Sequence, residues 1–589
     1  MKLSFAPWCA ALFCLFQTLT AHAAEAVAVD KHQALNTLFA DEWERGLRES
    51  PEGATANGDK RFNDRWTDMS LAAIEQREAE DRAALIRLHA IGRSGLSAED
   101  QLNYDTFEWE LAQAVARQRF KEYLQPVNHK NGPQLADGIT ETTDFTSLQD
   151  YRDYLKRLAA MPKAIAQNIA LMKLGVAQGY TPPRVLLERV PAQIALQIVA
   201  DPTASPFYRP FLKFGDNISQ PDRDLLTADA KTIIQSKLVP AFRSFQDYVV
   251  GEYIPHSRTS IAASALPDGK AYYDFLVRDQ TTTNLTADQI HEIGLQEVAR
   301  IHAKMEKLKD DIGYQGDLQS FFTYLRTDPK FFYKTPQELF TAYGALAKRI
   351  DPELVRVFKI IPRLPYGVRP IPDNAAPDTT TAYYQPGASD GTRPGFYYVN
   401  LYKPESRPKW EMMPLTLHES VPGHHFQFAR ALELPEAPMF RKTAYFVAYG
   451  EGWALYAEQL GYDMGLYDDR YDQFGQLIYE MWRAVRLVVD TGMHAKGWSR
   501  DQAIAYFKEN TAKTDLDIVN EIDRYVGDPG QALAYKIGQM KISALRKKAQ
   551  QALGDQFDLR EFNDAVLAVG SVPLVTLEAR IDAWIAAKK

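Results

Sequence analysis

Within "LTLHESVPGHHFQFARAL", residues 415–432, His418 is followed at once by Glu419 and, after a proline and a glycine, by His424 and His425. Imidazoles and a carboxylate this close together suit a divalent ion, since a catalytic zinc takes three such ligands and keeps one position open. In a regular H-E-x-x-H helix two histidines four apart face one ion, and the Glu between them takes a proton from water. Here the residue four after His418 is Pro422, so the regular arrangement is absent. On an unbroken helix His425 would point the same way as His418 but stand about 10 Å further along the axis, too far to share an ion. Pro422 removes an amide hydrogen and Gly423 accepts unusual dihedrals, so the helix must bulge or compress there. Such a bulge carries His424 back toward His418, which favours His424 as second ligand and leaves His425 as the alternative. Glu419 is the candidate general base, because a purely structural zinc has no use for a free acid beside it.

Other residues could complete the chemistry. In "RAVRLVVDTGMHAKGW", Arg486, Asp490 and His494 recur at four-residue steps along one helix face. Asp490 could orient His494 toward a substrate or intermediate, with Arg486 balancing the acid and binding substrate; a plain salt-bridge ladder is the alternative. "GFYYVNLY", residues 395–402, alternates like a strand. As an edge strand beside the metal helix it would pair with an extended peptide, with Tyr398 and Asn400 on the substrate face; a small buried strand is the alternative. "GASDG", residues 387–391, matches a nucleophile elbow around Ser389, but Pro386 precedes it and "TRPG" follows, so no helix can start where that motif needs one.

The elements that must hold these groups are mostly helices. From about residue 31 to 350 apolar residues recur at helical spacing, as in "SLAAIEQREAEDRAALIRLHAIG" and in the segment opened by Thr286 as N-cap. Between Pro362 and Pro414 ten prolines fall in an extended stretch that no helix can survive. Helical periodicity resumes after Leu415. With 589 residues, 46% of them apolar, the chain can build a large core, read as one catalytic domain of two interwoven lobes over 24–589, with the metal-site core at 415–541.

The first residues, "MKLSFAPWCAALFCLFQTLTAHA", read as a signal peptide over 1–23, with Ala21-His22-Ala23 as the cleavage signal. Gln17, Thr18 and Thr20 interrupt the apolar run short of the roughly 20 residues of a spanning helix. The expectation is a periplasmic or secreted protein with no stable membrane insertion after leader cleavage. Both cysteines, Cys9 and Cys14, lie in the leader, so disulfides are excluded and any metal must use His and carboxylate ligands. A net charge of −8 without a basic block argues against nucleic acid.

"HESVPGHHFQ", "RPGFYYVNLY", "EGWALYAEQLG" and "DPGQALAYKIGQMKI" together resemble the largely bacterial domain-of-unknown-function 885 family, placed with the gluzincin-type zinc peptidases. Relatives in that wider group carry a glycine before the second histidine ligand, matched here by Gly423-His424. The resemblance implies His418, His424 and Glu451 as ligands of Zn2+, with Glu458 as the substitute ligand or a supporting acid. Many gluzincins orient a histidine with an Asp four residues after the ligand Glu, and here that position is Leu455. The resemblance further implies Tyr535 as oxyanion donor beside His494, a mainly α, two-lobed fold with a small β element beside a deep cleft, and short peptides as substrates. A non-catalytic metal-binding scaffold of the same fold is the rival reading.

Overall fold

The computed structural model describes residues 30–373 and 375–589, the side chain at position 378 excepted. The leader expected over 1–23, with both cysteines, lies outside the described residues. Helices dominate, and the polar residues that open them do so for a local reason. Ser70 caps the helix Leu71–Ile91 by accepting from Ala73 N–H. Thr286 caps Ala287–Ile312, its side chain accepting from Gln289 N–H while the Gln289 side chain accepts from Thr286 N–H. Each closes backbone donors that a helix start otherwise leaves unmet.

Residues 127–253 build one apolar core among themselves, with Tyr154, Leu158, Phe207 and Phe242 at its centre. Two further cores interleave chain from both halves around the long helices Ala287–Ile312 and Arg470–Ala495, which pack along each other. The helices Val447–Asp463 and Gln531–Leu553 pass so closely that glycine faces glycine. A Cβ on Gly538 would collide with the Ala448 carbonyl, and one on Gly452 would meet the Gly538 backbone at 2.5 Å. This crossing fixes Glu451 and Tyr535, which sit within a turn of it, relative to one another.

The proline-rich segment holds more structure than its sequence signals. It folds into a three-stranded sheet in the order β1 (Tyr366–Pro370), β3 (Gly395–Val399), β2 (Ala382–Gln385), with β1 parallel and β2 antiparallel to β3. The expected edge strand is therefore the middle one, buried along its whole length. β1 and β2 are four or five residues long and flanked by prolines and turns, too short for periodicity to announce them. Lys513, fully buried, meets Glu411 at 2.8 Å and Asp517 at 3.3 Å, and Arg407 meets Asp517 at 2.6 Å. This paired cluster ties the end of the proline-rich segment to the helix Asp515–Gly527.

Gly538→Ala is expected to overpack the crossing and lower stability by about 1–3 kcal/mol. Gly46→Ala, on an exposed helix face with nothing within 4 Å, should raise it by about 0.5–1 kcal/mol. Thermal or urea unfolding of the two variants beside wild type measures both signs.

Candidate metal centre

The helix carrying His418 runs from Met412 to Glu419 and is buried at every residue. It ends because Ser420 leaves the helical region and its hydroxyl bonds back to the Thr416 carbonyl at 2.6 Å. A second helix, His424–Leu432, starts four residues on. Between them the Val421–Pro422 peptide is cis, and Gly423 passes under the first helix. A Cβ at Gly423 would collide with the His418 carbonyl, so only glycine permits the approach. Trp453 Nε1–H donates to the Pro422 carbonyl at 2.8 Å and fastens the turn to the neighbouring helix. The His418 and His424 rings end perpendicular, their centroids 4.8 Å apart.

Glu451 comes from the helix Val447–Asp463. Its Oε2 lies 3.2 Å from His424 Nε2 and 3.5 Å from His418 Nε2, and one donor atom from each residue falls within 4.8 Å of the others. Neighbouring corners of a tetrahedron with bonds of about 2.1 Å are about 3.4 Å apart, so both separations suit ligands of one small ion. Glu451 Oε2 is buried and, despite its nearness to both rings, makes no hydrogen bond of good geometry. Three donors converging on a point, rather than bonding each other, fit a divalent metal.

The support behind the ligands is also built. His418 Nδ1–H donates to Glu458 Oε1 at 2.8 Å, which leaves the Nε2 lone pair toward the shared point. Glu458 is wholly buried and meets Arg483 at 3.3 Å. It takes the orienting role that Leu455 cannot, reaching His418 from two helical turns beyond Glu451. Burial disfavours an imidazolium at His418, yet Glu451 and Glu458 outweigh it and hold the ring above its ordinary value. Burial likewise disfavours charge on Glu451, but His424 and His418 outweigh it and keep its carboxyl well below the usual range. Glu451 is thus in its ligating form, and metal uptake would displace a proton from His418.

Glu419 lines a cavity of about 240 Å³ together with His418, Arg483, Arg486 and Tyr535. Burial pushes its carboxyl up, against the pull of His418 and His424. Among the described residues nothing forms a hydrogen bond or ion pair with that carboxyl. Tyr535 lies parallel to the His418 ring at 6.2 Å, its hydroxyl 3.4 Å from Gln531 Nε2. Arg486 lines the cavity beside it.

Five residues singled out in the sequence point elsewhere. His425 faces the sheet, accepting from Tyr384 OH at 2.9 Å and donating to the Leu364 carbonyl at 3.0 Å, and burial pushes it down to about 4. His494 has both ring nitrogens bonded to backbone: Nδ1 accepts from Ala263 N–H and Nε2–H donates to the Tyr525 carbonyl, each at 3.0 Å. Asp490 does not orient it, receiving instead Tyr273 OH at 2.6 Å and Gly530 N–H at 3.1 Å. Tyr398 lies on the face of β3 turned from the metal helix, and Asn400 falls just past the strand's end. Tyr398 stacks on Tyr383 at 4.9 Å, and the Asn400 amide donates to the carbonyls of Ala376, Thr379 and Thr380. The opposite face, at Tyr397, meets Thr416 of the metal helix at 3.5 Å. Ser389 Oγ donates to the Asn57 carbonyl at 2.8 Å in a surface turn, as its prolines imply.

Two contributors escape a reading of the sequence. Tyr445 lies over Gly450, where a side chain would collide with its ring. The residue is 38% exposed, while burial of its hydroxyl, and then Glu451, push the phenol upward. Thr380, Thr381 and Ala382, leading into β2, form one wall of the cavity. The glycine immediately before Glu451 was the one available signal for Tyr445; nothing marked the wall.

Fold and site together define a mainly helical protein with a buried His-His-Glu group compatible with a divalent metal. The chain belongs to the DUF885 family, described as "Bacterial protein of unknown function", whose match spans residues 51–581. A crystal structure from Colwellia psychrerythraea, of a protein provisionally described as a lipoprotein, is 29% identical, with a TM-score of 0.89 over 95% of this chain and 100% of that one. A second structure, from Shewanella oneidensis, provisionally described as a lipoprotein of unknown function, shares the fold at 17% identity, with a TM-score of 0.66 over 92% and 98% of the chains. Among curated proteins none matches.

Elemental analysis of protein purified with metal supplied should find an ion in wild type and in His425→Ala, and none in His424→Ala or Glu451→Ala. Glu458→Gln should weaken metal affinity about 10–100-fold. Affinity should fall as pH drops through the raised His418 pKa, because the protonated ring cannot ligate.

Proposed function

We propose that this protein is an exported zinc-dependent peptidase that hydrolyses short peptides. The observation that carries this reading is Glu419: a buried carboxyl beside the ligand His418, in the cavity, with no partner among the described residues. Orientation of His418 already falls to Glu458, so Glu419 has no structural duty left to explain it. Export rests on the expected leader and on the description of the relatives as lipoproteins. No described helix is long and apolar enough to cross a membrane.

His418, His424 and Glu451 would hold the ion, and zinc suits a set of two nitrogens and one oxygen. When bound, zinc supplies a Lewis acid that polarises water and the peptide carbonyl. Glu419 takes a proton from the attacking water and returns it to the leaving amine, a step that a raised carboxyl pKa favours near neutral pH. Tyr535 keeps its proton, since burial and then Glu451 raise it against Arg524 and Arg486, so its hydroxyl can donate to a developing oxyanion. Tyr445, beside Glu451, is placed for the same duty. β2 offers the peptide a backbone edge. Asn400 N–H bonds the Thr381 carbonyl, so by the antiparallel alternation Ala382 and Tyr384 turn their N–H and C=O groups away from β3.

Zinc-loaded wild type is expected to cleave members of a short-peptide library, read by mass spectrometry, and a chelator to abolish cleavage. Glu419→Gln should lower kcat by about 10²–10⁴ while retaining zinc. In wild type kcat/KM should fall as pH drops through the Glu419 pKa, since the base works only as carboxylate. Full zinc occupancy with unchanged turnover in Glu419→Gln would refute the assignment.

A further inference from the structure

On the metal side of the cavity the charges are matched. Arg483 meets Glu458, and Glu451 meets two imidazoles. The far side is different. Arg486 and Arg524 both reach the same oxygen of Glu521, each at 2.9 Å, and one carboxylate cannot balance two guanidinium groups. Tyr525 OH donates to that oxygen as well, at 2.6 Å, and Thr380 to the other at 3.3 Å, so Glu521 has little left to offer. Lys130, from a remote part of the chain, lines the same end. It keeps contact with solvent, yet the enclosing walls, and next Arg524, push its ammonium down to about 8. The remaining acid there is Asp528, whose carboxyl burial pushes up.

Arg486 is the most telling group. Its side chain is 3% exposed, its Nε–H donates to Tyr525 OH at 2.6 Å, and its guanidinium carbon stands 4.7 Å from the Trp482 ring centroid and 4.2 Å from that of Tyr535. Held so rigidly, it still leaves Nη1 buried and without a partner. An unused charged donor on a residue that lines the cavity is costly unless a ligand completes it. A planar guanidinium already fixed by stacking loses little further freedom on binding a carboxylate.

We infer that this end of the cavity is a carboxylate-binding subsite, in which Arg486, with Arg524 and Lys130, receives a carboxylate of the substrate. The inference rests on the peptidase reading for what the substrate is, and names its class: peptides with an anionic group close to the bond that is cut. Tyr535 sets the distance, since its ring contacts the Arg486 guanidinium on one hand and lies parallel to His418 at 6.2 Å on the other. At roughly 3.5 Å per extended residue, the carboxylate falls about one to three residues from the reacting carbonyl. A free C-terminus would make the enzyme a remover of C-terminal residues; an aspartate or glutamate side chain would make it selective for acidic peptides.

The test uses zinc-loaded Glu419→Gln to measure binding by calorimetry and zinc-loaded wild type to measure cleavage. Matched tetrapeptides carry a C-terminal acid or a C-terminal amide, each with and without one acidic residue. A neutral-sequence free acid that binds at least tenfold tighter than its amide identifies the C-terminus as the source. An amide whose acidic residue restores that affinity identifies the side chain. In either case Arg486→Gln, added to Glu419→Gln, should erase the preference, so that acids and neutral amides bind alike. Lys130→Ala, which disturbs no buried pair, should weaken the preference in the same direction, with zinc content verified for each variant. Equal binding of acids and neutral amides, or a preference that survives both substitutions, overturns the subsite. Cleavage indifferent to the anionic group does the same while sparing the peptidase reading. A preference dependent on Arg486, with no peptide cleaved by wild type, refutes the peptidase and keeps the subsite.

Discussion

Everything at the centre depends on the Gly423 backbone passing against the His418 carbonyl. A helix spaces two side chains six positions apart on different faces and some 9 Å along its axis. Here the helix stops at Glu419, turns through Pro422 and restarts at His424, and the two rings finish within 4.8 Å of each other. The turn has no room for a side chain at residue 423, and its carbonyl at Pro422 is claimed by Trp453. Because Trp453 and Glu451 share one helix, the same bond that secures the turn also sets its distance from the third ligand. Local backbone geometry and ligand separation are therefore one constraint.

The charges around that point are arranged in layers. Glu451 is held ionised by two imidazoles, Glu458 bonds His418 and Arg483, and the Glu419 carboxyl is pushed up by burial against the pull of both rings. One glutamate stands in the candidate donor set, one braces His418, and the third keeps a solvent-poor setting. Replacing the position four after the ligand glutamate by Leu455 moves the supporting acid one turn further along the helix without losing the contact. The tight crossing at Gly452 and Gly538 makes this possible, since it holds the helix Val447–Asp463 in place from its other side.

The candidate metal ligands were legible partly from short spacing, with His418 next to Glu419 and a proline-glycine break before His424, and partly from the family resemblance, which singled out Glu451 and favoured His424. The helices were legible for a similar reason, since their burial repeats with their own period. What failed needed knowledge of a partner. Arg486, Asp490 and His494 do follow one another along a helix, but that helix passes three different neighbours, so the residues bond Glu521, Gly530 and Ala263 instead of each other. Periodicity identifies a face and is silent about what lies against it. The same gap concealed β1 and β2, and with them the fact that β3 is enclosed and that its metal-facing side belongs to Tyr397 rather than Tyr398.

The donor set has one more consequence. Two nitrogens and a carboxylate oxygen make up the candidate donor set, and the sequence has no cysteine after position 14. Nothing among the ligands can be oxidised to a sulfenic acid or captured in a mixed disulfide. A metal bound here would come and go with its supply and with the acidity of its surroundings, and no ligand thiol would couple it to the redox poise outside.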